Sequence, residues 1–178
     1  KEYKYDVFIS YSRRDTAVAD EIIEAFEEQG ITYFIDRHSI SGGLEFPAEL
    51  AKAIKESRIF LFLASKNSYE SKFTMTEVVY AFNRKENNSI IPYIIDGSSL
   101  PEEFEFTFSA INRRNIKEHP IKTVLIDDVL RRLGKSRKQA SQAVGNNENI
   151  VKPQQSGNQL ISGFKFNGKT VAFMVLGA

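Results

Sequence analysis

The sequence contains no cysteine and only two histidines, His38 and His119, in 178 residues. Without cysteine the chain cannot form a disulfide, offer a thiolate to a metal ion or use a cysteine as a nucleophile. Two histidines are too few for a histidine-rich metal site, so we expect no metal in the functional site. The lack of disulfides fits a reducing compartment, and we expect a cytoplasmic protein.

The chain also lacks a large surplus of positive or negative charge. The chain has 24 Lys and Arg residues against 23 Asp and Glu residues, spread along its length. Nucleic-acid binding requires a clustered positive surplus, so we do not expect nucleic acid as a partner. The chain begins at Lys1 without a signal-peptide pattern and ends after an apolar run, and we expect it to be a fragment of a longer protein.

Several familiar catalytic motifs are also absent. Gly42 and Gly43 form neither a P-loop nor a dinucleotide-binding fingerprint, and no serine nucleophile elbow is present. Residues 11–14, YSRR, follow the first predicted strand, where a response regulator would carry clustered acids. These absences argue against the corresponding nucleotide-binding, hydrolase and phosphorelay sites.

The chain does contain a regular alternation of strands and helices. Apolar runs rich in β-branched and aromatic residues predict strands at residues 6–11, 31–35, 59–64 and 89–95, and more weakly at 108–111. Helical spacing predicts helices that end at Gly30, begin at Pro47, cover 68–82 and run from Pro120 to Leu133. This alternation predicts an α/β fold, in which helices cover both faces of a parallel sheet.

Two further features concern this predicted sheet. Pro92 lies inside the fourth strand, where it cannot donate to the ladder, so we expect a bulge or a strand end there. Polar residues follow the first three strands at 11–15, 36–46 and 65–71. Because ligands bind at the carboxyl ends of the strands in such sheets, we expect the functional site at this edge.

The helix predicted at 68–82 has two different faces. The apolar face, which we expect to pack on the core, carries Met75, Val78, Val79 and Phe82. The opposite face carries Phe73, Glu77 and Tyr80. A carboxylate between two aromatic side chains predicts a cleft or a partner surface, with a solvated helix face as the alternative. Glu70, near the start of this helix, is expected only to favour the helix dipole.

The composition changes beyond Gly134. Residues 135–159 predict a flexible linker, and residues 160–178 predict the start of a further element, either a hairpin or a truncated membrane or sensor segment. Basic residues cluster at the end of the domain: Arg131, Arg132, Lys135, Arg137 and Lys138. They form either a solvated helix end or a membrane-facing patch.

Four segments together resemble a TIR (Toll/interleukin-1 receptor) domain of the bacterial, NAD-cleaving kind. They are DVFISYSRRD at 6–15, FIDRHSISGGLEFPAELAKAIKESRIFLFLAS at 34–65, NSYESKFTMTEVVYAF at 67–82 and IIPYIID at 90–96. The resemblance implies a TIR domain at 1–134 with a flavodoxin-like, three-layer fold and five parallel strands. It also implies a mobile loop at 36–47 and cleavage of NAD+ at the nicotinamide–ribose bond, with NAD+ as the substrate and no separate cofactor.

The resemblance also indicates the site. Glu77 takes the position of the family's catalytic glutamate, and Phe73 takes that of a tryptophan four residues before it. The residues expected at the substrate are Tyr11, Ser12, Arg13, Arg14, Asp36, Gly43, Phe46, Ser71 and Phe73. Arg13 and Arg14 either meet the pyrophosphate or face solvent, and Asp36 either faces the substrate or caps its loop. Helix caps are expected at Ser65, Ser68 and Ser71, with Ser71 also available to the ribose.

Two functions remain open from the sequence. The first is an NAD+ glycohydrolase that yields nicotinamide and either ADP-ribose or a cyclic product, in antiphage defence or effector signalling. In that case Glu77 stabilises the positive charge that develops on the ribose, and Phe73 and Tyr80 border a dry site beside it. The second is a non-catalytic scaffold that signals by homotypic association. Self-association through TIR surfaces is expected in both cases, and both are compatible with a tether to a membrane or sensor segment.

Overall fold

The computed structural model describes residues 2–35 and 48–138. In this part of the chain, strands and helices alternate as the sequence predicts. The predicted loop at 36–47, with Asp36, Gly43 and Phe46, lies outside the described residues. So do most of the predicted linker and all of the predicted C-terminal element, which therefore remain predictions.

Five parallel strands form one sheet. They are β1 (Tyr5–Ser10), β2 (Tyr33–Ile35), β3 (Ser57–Ala64), β4 (Ile90–Ile94) and β5 (Arg114–Asn115). Their order is β2-β1-β3-β4-β5, which is the flavodoxin-like order, and the direction of winding reverses between β1 and β3. The predicted fold class is confirmed.

Helices flank this sheet. They are α1 (Thr16–Gln29), α2 (Ala48–Glu56), α3 (Lys66–Glu70), α4 (Lys72–Phe82), α5 (Glu102–Phe108) and α6 (Ile126–Leu133). A π-helical turn, Ile121–Leu125, follows Pro120 and leads into α6. Gly30 and Gly134 end α1 and α6 in the left-handed conformation, each with φ 66°, which glycine adopts without a steric penalty. The predicted helix end at Gly30 and start at Pro120 are confirmed.

Two hydrophobic clusters pack on opposite faces of the sheet. The first cluster includes side chains of α1 and α6, such as Ile22, Phe26, Val129 and Leu133. The second includes side chains of α2 and α4, such as Leu50, Ile54, Val78 and Ala81. Along β1, Val7 and Ile9 belong to the first cluster and Phe8 belongs to the second, as strand alternation requires. By the same alternation Ser10 points to the face covered by α2 and α4.

The prediction of a strand at 108–111 is wrong. Phe108 is the last residue of α5, and its ring centroid lies 4.6 Å from that of Phe82 and 6.4 Å from that of Phe104. Phe104 and Phe108 are four residues apart, so they share one side of a helix. The true fifth strand, Arg114–Asn115, is too short to show the alternation by which strands are recognised.

Pro92 lies in the middle of β4, in continuous register with β3. The carbonyl of Ile94 accepts a hydrogen bond from Ile116, and backbone groups two residues apart on a strand face the same neighbour. Pro92 therefore faces the β5 side, where β5 pairs only with Tyr93 and Ile94. The expectation of a bulge or strand end is wrong, because no described strand needs a donor from Pro92.

The segment predicted as one helix at 68–82 consists of two. α3 ends at Glu70 and α4 begins at Lys72, with Ser71 extended between them at φ −85° and ψ 104°. The Oγ of Ser71 accepts a hydrogen bond from the backbone N–H of Thr74 at 3.2 Å and caps α4. Glu70 therefore lies at the carboxyl end of a short helix rather than at the start of a long one.

Candidate functional site

A cleft of about 310 Å³ opens beside the carboxyl ends of β1 and β3, where the strand order reverses. Open α/β sheets bind ligands at this position, and small-molecule sites have volumes of roughly 300–1,000 Å³. The lining includes these predicted site residues: Tyr11, Ser12, Arg13, Arg14, Ser71, Phe73 and Glu77. It also includes residues that were not named individually as site residues: Ile9, Asn67, Glu70 and Thr74.

Glu77 is a buried acid of this cleft. Its side chain is only 3% exposed, although it lies in the middle of α4. Ser10 donates a hydrogen bond from its Oγ to Oε2 of Glu77 at 2.5 Å. Burying a carboxylate costs several kcal/mol unless hydrogen bonds compensate the lost water. The alternative of a glutamate on a solvated helix face is therefore wrong.

The orientation of α4 differs from the one expected. Its buried face carries Thr74, Glu77, Val78 and Ala81. Val79, predicted in the core, is 46% exposed, and Met75 and Phe82 are half-buried. At about 100° per residue the helix is rotated by roughly a quarter of a turn. The apolar residues of α4 alone favour Val79 inward, whereas the structure places Glu77 inward, against Ser10 of β1.

A second contact fixes α4 to the end of β1. Thr74 donates a hydrogen bond from its Oγ1 to the carbonyl of Tyr11 at 3.2 Å, and this Oγ1 also lies 2.9 Å from Oγ of Ser71. Thr74 and Glu77 are three residues apart, so α4 is held to β1 at two points about one turn apart. Neither Ser10 nor Thr74 was predicted as a site residue. The sequence feature that could have indicated Ser10 is a serine at the end of an apolar strand.

Asp15 anchors the turn that follows β1. Its carboxylate accepts hydrogen bonds from Oγ of Ser65 at 2.6 Å and from Nδ2 of Asn67 at 2.7 Å. Ser65 and Ser68 form a capping box at the start of α3, so the predicted caps at Ser65, Ser68 and Ser71 are confirmed. The turn at 11–15 and the start of α3 are thereby joined at the edge of the cleft.

Arg13 and Arg14 lie at the mouth of the cleft, and both are exposed. Nη1 of Arg14 lies 3.3 Å from Oε2 of Glu70. Both arginine side chains therefore face solvent and can also contact a ligand in the cleft. The expectation that Glu70 only favours a helix dipole is wrong, because α3 ends at Glu70 and the side chain lines the cleft.

The two aromatic residues expected beside Glu77 have different surroundings. Phe73 is half-buried and lines the cleft. Tyr80 packs against the second hydrophobic cluster, and the guanidinium of Arg84 lies 4.9 Å from its ring centroid. Tyr80 is not among the described residues that line the cleft. The prediction that Tyr80 borders the cleft is therefore wrong.

Four of the five basic residues at the end of the domain are paired with acids. The pairs are Arg131 and Arg132 with Asp128, Lys135 with Asp6, and Arg137 with Asp127. Asp128 also pairs with Arg114 at 3.2 Å. Burial alone would raise the pKa of Asp128, but the hydrogen bond from Arg131 and the charge of Arg132 outweigh it and lower the pKa below its ordinary value. These pairs favour a structural role over a membrane-facing patch.

The described residues, 2–35 and 48–138, hold no metal-binding cluster of side chains and no apolar helix of membrane-spanning length. In these ranges no three acidic or histidine side chains lie close enough together to hold a metal ion. No helix in the same ranges has the length and apolar character needed to cross a membrane.

Comparison with known proteins identifies related sequences. The TMV resistance protein N of Nicotiana glutinosa is 29% identical over 121 residues, which cover 65% of this chain and 11% of that protein. A protein of Cytobacillus dafuensis described as a putative cyclic ADP-D-ribose synthase, TIR2, is 37% identical over 84 residues, covering 43% of this chain and 22% of that protein. The chain therefore spans only a small part of the length of these relatives.

Solved structures and a family match agree on the fold. The TIR domain of a Toll-related receptor from Hydra magnipapillata has a TM-score of 0.59 at 19% identity, covering 74% of this chain and 100% of that chain. A TIR-STING receptor from C. gigas has a TM-score of 0.57 at 21% identity, covering 75% of this chain and 40% of that chain. The sequence matches the TIR domain family over residues 7–126. Because that match spans more than half of the sequence, this chain belongs to the TIR domain family.

Proposed function

We propose that this domain cleaves NAD+ at the bond between nicotinamide and ribose, yielding nicotinamide and ADP-ribose or a cyclic ADP-ribose product. The observation that carries the proposal is the buried carboxylate of Glu77, which lines the cleft and accepts a hydrogen bond from Ser10. The bacterial relative described as a putative cyclic ADP-D-ribose synthase supports the same chemistry.

The proposed reaction needs a negative charge beside the ribose. When the bond breaks, its electron pair leaves with nicotinamide, and positive charge develops on the ribose as in glycoside hydrolysis. A fixed carboxylate stabilises that charge, and its effect is larger in a buried site than in water. Water then adds to the ribose carbon and releases a proton, which gives ADP-ribose. Attack by an adenine nitrogen of the same molecule gives a cyclic product instead.

The other lining residues have proposed binding roles. Arg13 and Arg14 carry positive charge at the mouth of the cleft, where the pyrophosphate of NAD+ would lie. The remaining contacts are proposed for Tyr11, Ser12, Ser71 and Phe73, and for Asp36, Gly43 and Phe46 outside the described residues. Phe73 offers an aromatic wall, and Ser71 offers a hydroxyl to the ribose.

The biological setting proposed is bacterial antiphage defence or effector signalling in the cytoplasm, with activity that depends on self-association. Two relatives support this setting: one is the plant TMV resistance protein N, and the other is a bacterial protein described as a putative cyclic ADP-D-ribose synthase. A non-catalytic scaffold is the second candidate. It is favoured by Phe73 in the tryptophan position and by Val79, which exposes an apolar side chain on the outer face of α4.

Incubation of the purified 178-residue chain with NAD+ tests the proposal, with the products resolved by chromatography. An enzyme releases nicotinamide together with ADP-ribose or a cyclic product, in amounts that grow with time and with protein. A scaffold leaves NAD+ intact at every concentration, including concentrations at which the chain associates.

A further inference from the structure

Ser10 contacts Glu77 from the side of the sheet. Its side chain is 1% exposed, and its Oγ lies 2.5 Å from Oε2 of Glu77. Glu77 lines the cleft, whereas Ser10 is not among the described lining residues. A ligand in the cleft therefore meets Glu77 and does not meet Ser10.

The sheet fixes the position of this hydroxyl donor. Ser10 is the last residue of β1 and pairs with Phe62 of β3. Its buried side chain has few rotamers that avoid its neighbours. The donor consequently has a defined position and direction, and it constrains one oxygen of the flexible Glu77 side chain.

Contacts other than this hydrogen bond also hold α4 against the sheet. Thr74 binds the carbonyl of Tyr11 one turn before Glu77, and Val78 and Ala81 pack in the second hydrophobic cluster. Removing the hydroxyl of Ser10 should therefore leave the helix in place and remove the hydrogen bond that ties Oε2 of Glu77 to β1.

We infer that Ser10 is a positioning residue for Glu77, and that its hydroxyl keeps the carboxylate aimed at the sugar in the cleft. The inference rests on the proposed function, because it assigns Ser10 a role in NAD+ cleavage. A displacement of about 1 Å can lower a reaction rate roughly a hundredfold. Ser10 therefore controls kcat without touching the substrate.

Ser57 provides a matched control. It is a fully buried serine on the neighbouring strand β3, and it donates a hydrogen bond from its Oγ to the carbonyl of Ala53 at 2.7 Å. It pairs with Tyr5, at the end of the sheet opposite the cleft. Ser10→Ala and Ser57→Ala each remove one buried hydroxyl donor, but only Ser10→Ala affects Glu77.

The kinetic test uses the full chain, with rates expressed per folded molecule. Ser10→Ala should lower kcat for NAD+ cleavage roughly tenfold to a hundredfold, with KM within about twofold of the parent value. Ser57→Ala should keep the parent kcat, and Ser10→Thr, which retains the hydroxyl, should recover most of it. An unchanged kcat in folded Ser10→Ala overturns the inference. If Ser10→Ala does not fold, Ser10→Cys, which offers only a weak donor, replaces it.

A crystal structure of Ser10→Ala separates this inference from the proposed function. We expect the Glu77 carboxylate to turn away from β1 by more than about 1 Å while α4 keeps its place, and to stay in position in Ser57→Ala. A carboxylate that stays in position in Ser10→Ala overturns the inference, whether or not any variant cleaves NAD+. A parent chain that leaves NAD+ intact, together with a displaced carboxylate, refutes the proposed function and supports the positioning contact.

Discussion

Arg14 and Glu70 form an ion pair across the mouth of the cleft, with 3.3 Å between Nη1 and Oε2. The two side chains are 71% and 55% exposed, and exposed pairs of this kind contribute about 0–1 kcal/mol. Glu70 pairs with an arginine that we propose binds the pyrophosphate of the substrate. An anionic substrate therefore has to compete with Glu70 for Arg14.

Replacing Glu70 by Gln should therefore improve substrate binding. We expect KM for NAD+ to fall about twofold to fivefold with little change in kcat, because roughly 1 kcal/mol corresponds to about a fivefold change. The effect should shrink at high salt, where exposed charges are screened. Glu86→Gln, in an exposed turn before β4, is the control and should leave KM unchanged. A higher KM in Glu70→Gln at low salt would show that Glu70 itself helps to bind the substrate.

Asp128→Asn should destabilise the fold in a pH-dependent way. Asp128 is 4% exposed and pairs with Arg114 and Arg132, so its loss at pH 7 should lower the free energy of unfolding by about 3 kcal/mol. The folded pKa of Asp128 lies below its ordinary value of 3.8. Its contribution is therefore complete above that value and is lost as the pH falls through the folded pKa.

The neighbouring acid is the control for this prediction. Asp127 is 63% exposed and pairs with Arg137, so Asp127→Asn should change stability at pH 7 by less than about 1 kcal/mol. Urea unfolding of both variants and the parent between pH 7 and pH 3 makes the comparison. An equal stability loss in both variants, or a loss in Asp128→Asn that persists unchanged at pH 3, would contradict this account.

The order and class of the elements could be predicted from the sequence, but the rotation of α4 could not. Apolar periodicity favours Val79 on the buried face, and in most helices that signal suffices. Here the buried face of α4 instead includes Glu77, whose hydrogen-bond partner Ser10 lies 67 residues earlier. A contact between residues so far apart in the sequence cannot be recognised from the local apolar pattern of either element.

Short elements and helix breaks account for the other wrong predictions of secondary structure. β5 has two residues, and its position depends on pairing with β4 rather than on any pattern of its own. Ser71 ends one helix and caps the next. Because of this break, Glu70 lies at the end of α3 in the wall of the cleft, and not at the start of one long helix as predicted. The polar turn at 11–14 was easier to predict, since it follows a strong strand signal directly.

Truncation should show where the folded domain ends. A chain ending at Gly134 should unfold cooperatively, because α6 is complete at Leu133. A chain ending at Lys138 should be more stable by up to about 1 kcal/mol, since Lys135 pairs with Asp6 at 2.6 Å and the backbone N–H of Lys138 bonds the side chain of Gln29 at 2.8 Å. Thermal unfolding of both pieces and the full chain tests this. Aggregation of both pieces would show that the domain requires residues beyond 138.

Activity should depend on assembly. The family resemblance implies that TIR domains pair through the loop at 36–47, which lies outside the described residues. If a neighbouring copy completes the site, a dilute monomer should have low specific activity. We expect specific NAD+ cleavage to rise with protein concentration or with a fused dimerising segment, in step with the mass measured by light scattering. Constant specific activity from the monomer to high concentration would exclude this dependence.

The most direct test of the central claim is NAD+ turnover by Glu77→Gln beside Glu21→Gln. Both substitutions remove one carboxylate from the middle of a helix, but Glu77 is buried in the cleft, whereas Glu21 is exposed on α1. We predict that folded Glu77→Gln loses activity by roughly a hundredfold or more, the scale for removing one preorganised electrostatic group, and that Glu21→Gln retains the parent rate. Undiminished NAD+ cleavage by folded Glu77→Gln would contradict the account.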